Sequence, residues 1–258
     1  MQIVVKNSIL SYALCGAPVA DGKPCIVFLH GWGRTFEDFN QLSAALSRAL
    51  PDYAFLLLDL PGFGGSSLSA DTGLSLDDYA RILNELFDKL EIKKVILVGH
   101  SVGGRIAIKC ATLFPSRVEK LILIAAAGVP LRSFRIPLLG AGRILFNTLF
   151  FAFRDFRFIL RLKNLLGALF GSRDYQTSRG ALRETLKKVV SEDLRPDAQK
   201  ISISTFLIWG RNDPTTPLRD AQEYHSLIKG SRLEVLEGGH FVFLEKPDEC
   251  AEIILSFL

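Results

Sequence analysis

The sequence is poor in the residues that proteins use to build metal sites and disulfide frameworks. It has four histidines and four cysteines among 258 residues. The cysteines lack the paired spacing of a zinc site or a redox centre; they are Cys15, Cys25, Cys110 and Cys250. No acidic cluster accompanies the histidines, so a metal site is not expected. The scattered cysteines fit a chain in the reduced state, and disulfide bonds are left as an alternative.

Long apolar runs and targeting signals are also missing. The first ten residues, MQIVVKNSIL, do not place a basic segment before an apolar stretch, as a signal peptide would. No apolar run approaches the roughly 18 residues without a charge that a membrane-spanning helix requires. These absences predict a cytoplasmic protein.

Positive charge is concentrated in one part of the chain. The formal net charge is +4, but residues 130–196 carry 13 Lys and Arg against 5 Asp and Glu. The rest of the sequence is slightly acidic. No nucleic-acid-binding module and no basic, aromatic sheet pattern is recognisable, so we do not expect a nucleic-acid partner.

The rest of the sequence is organised around residues 95–113. The run VILV at 95–98 predicts a buried strand, and GHSVG follows at 99–103. Helical spacing of apolar residues then continues to Leu113. Strand, tight turn and helix form the context in which a strained serine exposes its hydroxyl, while Gly99 and Gly103 let the neighbouring chain pass. Ser101 is therefore predicted to be a nucleophile.

Strands and helices alternate along most of the chain. Predicted strands cover 2–6, 9–15, 25–29, 53–58, 120–125, 205–209 and 232–236; predicted helices follow Thr35 and Ser75 as candidate caps, and cover 218–228 and 247–258. This alternation predicts a mostly parallel sheet with helices on both faces, an edge hairpin at its start, and a site at the carboxyl ends of the strands. Residues 130–196 interrupt it with long helical patterning rich in Phe and Arg.

A serine nucleophile needs a base in contact and an acid that orients the base. His240 follows the strand at 232–236 on a Gly-Gly loop, and Asp213 follows the strand at 205–209. Both residues come just past strand ends, where the site is expected. We therefore predict that His240 is the base for Ser101 and that Asp213 is the acid.

Other residues compete for these roles. His100 lies beside Ser101 in the turn, and its side chain is expected to point away from the serine. His225 is interpreted as a surface residue of a late helix, and His30 as support for the loop that it begins. Asp59 also ends a strand and is the rival acid, although an Asp in such a turn commonly bonds to its own backbone.

Acyl transfer also needs donors for the developing oxyanion. The backbone N–H of Val102 is one candidate. The second is the N–H of Trp32, because Gly31 and Gly33 let this loop approach a substrate. The indole of Trp32 would line the acyl pocket. The other predicted substrate-binding residues are Phe241, Phe150 and Phe153.

Five motifs together resemble the α/β-hydrolase superfamily: HGWG at 30–33, DLPGFGGS at 59–66, GHSVGG at 99–104, GRND at 210–213 and GGH at 238–240. The resemblance covers nearly the whole chain apart from 130–196, and the order of serine, aspartate and histidine is the same. It implies an α/β fold with a mostly parallel, eight-stranded sheet and a helical cap after the sixth strand. We thus predict a core of residues 1–129 and 197–258 and a cap of 130–196.

The serine separates this chain from relatives with an aspartate nucleophile, the haloalkane dehalogenases and epoxide hydrolases. The leading hypothesis is a cofactor-free serine hydrolase for a carboxylic ester or thioester. The same triad could instead hydrolyse a carbon–carbon bond of a diketone. A third hypothesis is a ligand receptor or signalling protein that keeps the triad but turns over almost nothing.

The basic cap suggests possible partners besides a small ester or acyl substrate. Phenylalanines alternate with basic residues between Arg143 and Phe170, and Asp155 is the acidic residue among them. One interpretation is that the phenylalanines pack the cap and the arginines are solvated. The other is weak association with an anionic membrane surface or an acidic acyl carrier through charge and apolar burial.

Overall fold

The computed structural model describes residues 1–19, 24–68, 73–130 and 178–258. In these residues eight strands form one sheet in the order β1-β2-β4-β3-β5-β6-β7-β8. The strands are β1 Gln2–Val5, β2 Ser8–Gly16, β3 Cys25–Leu29, β4 Ala54–Leu58, β5 Val95–His100, β6 Val118–Ile124, β7 Ser204–Gly210 and β8 Arg232–Leu236. β1 and β2 form the predicted antiparallel hairpin at one edge, β2 pairs antiparallel with β4, and the remaining neighbours are parallel. The predicted α/β fold with a mostly parallel, eight-stranded sheet is confirmed.

Both faces of the central strands are buried, which explains their continuous apolar sequences. In β3, Val27 and Leu29 belong to the core on one face, while Ile26 and Phe28 belong to the core on the other. β5 alternates in the same way. The strand that precedes Ser101 therefore lies between the two hydrophobic cores, one on each face of the sheet.

Helices cover the two faces of the sheet. They are α1 Asn40–Ala49, α2 Leu76–Lys89, α3 Val102–Leu113, α4 Gly180–Ser191, α5 Arg195–Ala198, α6 Leu218–Leu227, α7 Val242–Glu245 and α8 Pro247–Leu255. In α3 the residues from Val102 to Ala111 are all buried, so this helix is enclosed almost all round, while Leu113 is exposed. None of the helices in the described ranges combines the length and the apolar character that crossing a membrane requires.

The two predicted helix caps have different outcomes. Ser75 caps α2: its hydroxyl accepts from the N–H of Asp78, whose carboxylate accepts in return from the N–H of Ser75. The prediction for Thr35 is wrong, because a short 3-10 turn at 36–39 intervenes before α1 and Thr35 makes no capping bond. The carboxylate of Asp59 instead accepts from the N–H of Phe36 at 2.9 Å.

The chain divides into two compact units, one of residues Met1–Val129 and Arg179–Leu258 and the other of Pro130–Ser178. The predicted return to the core at 197 differs from this division, because 179–196 belong to the unit that contains the sheet. α4 buries Thr185, whose hydroxyl accepts from the N–H of Leu74 at 2.8 Å. Most of the predicted cap lies outside the described residues.

Candidate active site

Ser101 occupies a strained turn between β5 and α3. Its φ of 53° and ψ of −113° lie in a region that residues other than glycine rarely adopt. Its N–H donates to the carbonyl of Ile124 at 3.1 Å, and its carbonyl accepts from the N–H of Gly104 at 3.0 Å. These bonds to β6 and α3 hold the strained conformation, as predicted for a nucleophile elbow.

The two glycines around Ser101 are required by close backbone approach. A Cβ at Gly103 would overlap the carbonyl oxygen of Leu29 in β3, and a Cβ at Gly99 would lie 2.6 Å from the carbonyl oxygen of Gly103. Both contacts are with backbone, which cannot move aside as a flexible side chain could. The predicted reason for these glycines is confirmed.

Asp213 and His240 follow the adjacent parallel strands β7 and β8 and meet at the edge of the sheet. The Nδ1 atom of His240 lies 2.8 Å from Oδ2 of Asp213, and the carboxylate is fully buried. The ring of His100, the neighbour of Ser101 in the chain, lies 4.8 Å from the ring of His240 between centroids. The structure therefore brings the predicted acid and base together, beside the turn that holds Ser101.

The surroundings of Asp213 favour its ionised form. Burial alone would raise the pKa of this carboxyl, but hydrogen bonds from His240 and from the side chain and backbone of Thr216 outweigh it and lower the pKa. The carboxylate is thus charged at neutral pH and can hold the Nδ1–H of His240. Because folding lowers the pKa of Asp213, the ionised carboxylate stabilises the folded protein at pH values above the pKa that Asp213 has in the unfolded chain. This contribution disappears as the pH falls through the pKa of Asp213 in the folded protein.

Thr216 is a member of this network that sequence reasoning missed. Its hydroxyl lies 2.7 Å from Oδ2 of Asp213 and 3.1 Å from the carbonyl oxygen of Ala125. Oδ1 of Asp213 accepts from the N–H groups of Thr215 at 2.7 Å and Thr216 at 2.9 Å. The Asp-Pro-Thr-Thr sequence, which suits a turn closed by the Asp side chain, is the signal that could have indicated it.

We expect Thr216→Val to lower kcat about tenfold, because a hydrogen bond to an ionised group contributes roughly 1.5 kcal/mol, close to a factor of ten in rate. Valine keeps the shape and the backbone N–H. Thr215→Val is the matched control, since Thr215 binds Asp213 through its backbone N–H, which valine keeps. The activity of this variant should be unchanged. Steady-state kinetics on the best ester substrate checks both; equal loss in the two variants would contradict the assignment.

The competing histidines have structural partners. His30 is buried, its Nδ1 donates to the carbonyl of Gly31 at 2.7 Å, and its Nε2 accepts from the N–H of Leu60 at 2.9 Å. Burial lowers the pKa of His30, so a neutral ring suits both contacts. His225 is exposed on α6, with Nδ1 3.0 Å from the hydroxyl of Ser231. The structural interpretation of both residues is confirmed.

The rival acid, Asp59, is engaged in its own turn. Besides the bond from Phe36, Oδ2 accepts from the N–H of Gly65 at 2.8 Å, and the backbone carbonyl accepts from the hydroxyl of Ser66 at 2.7 Å. Its carboxylate therefore organises the loops that follow β3 and β4, while Asp213 is the carboxylate beside His240.

The predicted oxyanion donors lie at the start of α3 and on the loop after β3. Val102 is the first residue of α3, and the first N–H groups of a helix have no partner within it. Trp32 is half-buried on the loop after β3 and packs edge-on against Phe63, with 4.8 Å between ring centroids. The roles of Val102 and Trp32 as oxyanion donors stay predictions.

Of the predicted substrate-binding aromatics, Phe241 follows His240 and contacts its ring at 5.1 Å between centroids. The guanidinium of Arg34 lies over the ring of Phe241, 5.2 Å from its centroid. Both carboxylate oxygens of Asp38 bind Arg34 at 2.6 Å. Phe150 and Phe153 lie outside the described residues.

No group of three or more metal-binding side chains occurs in the ranges that the structure describes.

Comparison with known proteins extends the similarity to nearly the whole chain. The model of the family described as "Alpha/beta hydrolase family" matches residues 26–253. A 2-hydroxy-6-oxononadienedioate/2-hydroxy-6-oxononatrienedioate hydrolase of Klebsiella pneumoniae is 31% identical over 254 residues, which cover 92% of this chain and 88% of that protein. Among solved structures, the esterase of Exiguobacterium antarcticum is similar with a TM-score of 0.72 and 25% identity, covering 99% of this chain and 98% of that one. The enol-lactonase of Burkholderia xenovorans is similar in fold, with a TM-score of 0.75 and 21% identity, covering 100% and 99% of the two chains.

Proposed function

The chain belongs to the alpha/beta hydrolase family, and we propose that it is a serine hydrolase that cleaves a carboxylic ester or thioester through an acyl-enzyme on Ser101. The observation that carries the proposal is the strained Ser101 at the start of α3, beside a His240–Asp213 pair 2.8 Å apart. No cofactor is needed for this chemistry.

The proposed reaction follows from the hydrogen bonds of this pair. Because Nδ1–H of His240 is held by Asp213, Nε2 carries the lone pair that can accept the proton of the Ser101 hydroxyl. The serine oxygen attacks the acyl carbon, and the N–H groups of Val102 and Trp32 bind the oxyanion. His240 then protonates the leaving alcohol or thiol. Water, activated by the same imidazole, releases the acid and restores Ser101.

A second candidate is hydrolysis of a carbon–carbon bond in a diketone. The similarity to a hydrolase of 2-hydroxy-6-oxononadienedioate supports it, because that relative covers nearly the whole chain at 31% identity. The fold alone cannot rank these substrates, since both reactions can use the same serine, histidine and aspartate.

A substrate panel separates the candidates. Aryl esters of increasing acyl length, an acyl thioester and a 2-hydroxy-6-oxo ring-cleavage product should be assayed with the same enzyme preparation. We expect higher kcat/KM on an ester or thioester than on the ring-cleavage product. The reverse order would favour the carbon–carbon hydrolase. Tight binding of a panel member with almost no turnover of any would favour a receptor.

We also propose that the basic segment, which lies outside the described residues apart from its ends, recruits an anionic surface or substrate. Replacing Arg154, Arg157 and Arg161 with Gln should lower kcat/KM for a long-chain or anionic substrate and spare a neutral short ester. Salt should mimic this effect in the wild type, because exposed charges are screened over about 8–10 Å at physiological ionic strength.

The matched control removes three exposed basic charges from the sheet unit by changing Arg48, Arg81 and Lys229 to Gln. This variant should retain the substrate preference of the wild type. If the arginine variant loses kcat/KM equally on both substrates, the basic segment serves solubility and not substrate recruitment.

A further inference from the structure

His100, the last residue of β5, is a buried imidazole that reaches the backbone of the proposed base. Only 1% of its surface is exposed. Its Nε2 lies 3.0 Å from the carbonyl oxygen of His240, and the other ring nitrogen, Nδ1, is buried without a hydrogen-bond partner. Because a carbonyl oxygen can only accept, Nε2 carries the proton of the neutral ring and donates it to this bond.

The neutral form of His100 is set by its surroundings. Burial, and next the proximity of His240, lower the pKa of His100 to about 3. The remaining nitrogen faces Gly31, where a Cβ would lie 3.0 Å from Nδ1. Leaving the buried Nδ1 without a partner costs free energy. The position of the ring therefore does not serve the hydrogen bonding of both nitrogens. The contact that the placement does secure is the one with the His240 carbonyl.

The loop that carries His240 needs such contacts, because two glycines precede the histidine and leave the backbone many conformations. The carbonyl of the first glycine, at 238, accepts from the N–H of Asn212 at 2.9 Å. The N–H of the second, at 239, donates to the carboxylate of Glu245 at 2.9 Å. The bond from His100 is the next along the chain, and it acts on the residue that bears the imidazole.

We propose that His100 is a positioning residue for His240: its hydrogen bond ties the base to the same turn that presents Ser101. This inference rests on the proposed function of these two residues. One short strand end would thereby set the distance between nucleophile and base. A displacement of about 1 Å at a reacting group can lower the rate about a hundredfold, so the tie matters for kcat.

Three substitutions at His100 test this role. Gln offers an amide donor near the position of Nε2, Met has nearly the shape of Gln without the donor, and Phe keeps the aromatic contacts without the donor. We expect His100→Met and His100→Phe to lower kcat about tenfold to a hundredfold with little change in KM. His100→Gln should recover most of that loss. If His100 served only to pack against the rings of Phe241 and Phe243, Phe would be tolerated and Gln would not.

A second measurement does not depend on turnover. The Nδ1–H proton of His240, bound to Asp213, should give a downfield proton NMR resonance that Asp213→Asn removes. We expect this resonance to stay sharp in His100→Gln and to broaden or vanish in His100→Met. If the wild type hydrolyses no ester or thioester but this pattern holds, the proposed function fails and the positioning role stands.

The inference is overturned if His100→Met keeps both the rate and the resonance. It is equally overturned if His100→Gln loses both as completely as His100→Met while the two proteins melt at the same temperature. Because Gln and Met differ little in shape, this pair decides the question even if His100→Phe does not fold.

Discussion

Ser101→Ala is expected to lower kcat by about 10⁴ to 10⁶ and to abolish labelling by a fluorophosphonate probe, as loss of the nucleophile does in other serine hydrolases. The hydroxyl is the group that would attack the substrate and the group that the probe would modify. Alanine keeps the Cβ, so the strained backbone at φ 53° stays as it is. The melting temperature should therefore change little while activity is lost.

The control for this prediction is a second buried serine with a known partner. The hydroxyl of Ser43 donates to the carbonyl of Asn40 within the first turn of α1. Ser43→Ala should keep both labelling and turnover. Labelling of Ser101→Ala at the wild-type rate would show that the probe reacts elsewhere and would remove the basis for the proposed nucleophile.

The fold could be predicted from the sequence because its signals are local. Each central strand is a short apolar run, and burial on both faces is what removes polar residues from such a run. The motif around Ser101 could equally be read from the sequence, since the glycines at 99 and 103 are required by close backbone contacts within this turn and with β3. Asp213 and His240 could be placed at one edge because both follow parallel strands.

Apart from the local bonds of Thr216 to Asp213, the contacts that sequence reasoning missed join residues far apart in the chain. The carboxylate of Asp59 accepts from the N–H of Phe36, 23 positions away, at the start of the 3-10 turn that follows Thr35 in place of the predicted cap. His100 bonds to the carbonyl of His240 across 140 positions. No local pattern encodes such bonds, because each depends on how two loops meet after the sheet has formed.

The boundary after the cap shows the same limitation. Residues 179–196 continue the helical patterning of the basic segment, so composition alone assigned them to it. α4 nevertheless buries Thr185, Leu186 and Val189, and the N–H of Leu194 donates to the carbonyl of Gly128 at 3.0 Å. Tertiary burial, which the pattern could not show, decides to which unit this segment belongs.

Asp213→Asn is expected to lower kcat by about 10⁴ while the protein stays folded, because an amide would hold His240 in the wrong tautomer. The buried carboxylate accepts the Nδ1–H of the imidazole. An Asn amide can present its NH₂ group to Nδ1, which would move the ring proton to Nε2. His240 could then no longer accept the proton of Ser101. Steady-state kinetics and the rate of fluorophosphonate labelling measure the loss.

Asp59→Asn is the matched control, since it changes the other buried carboxylate that ends a strand. The carboxylate of Asp59 holds two loops through its bonds to Phe36 and Gly65. This variant should therefore have a lower melting temperature but keep kcat within about threefold of the wild type. Acid titration adds a second distinction. Because the lowered pKa of Asp213 stabilises the wild type only above its titration range, the stability difference between wild type and Asp213→Asn should shrink as the pH falls. An inactive Asp59→Asn beside a nearly normal Asp213→Asn would transfer the role of the acid to Asp59.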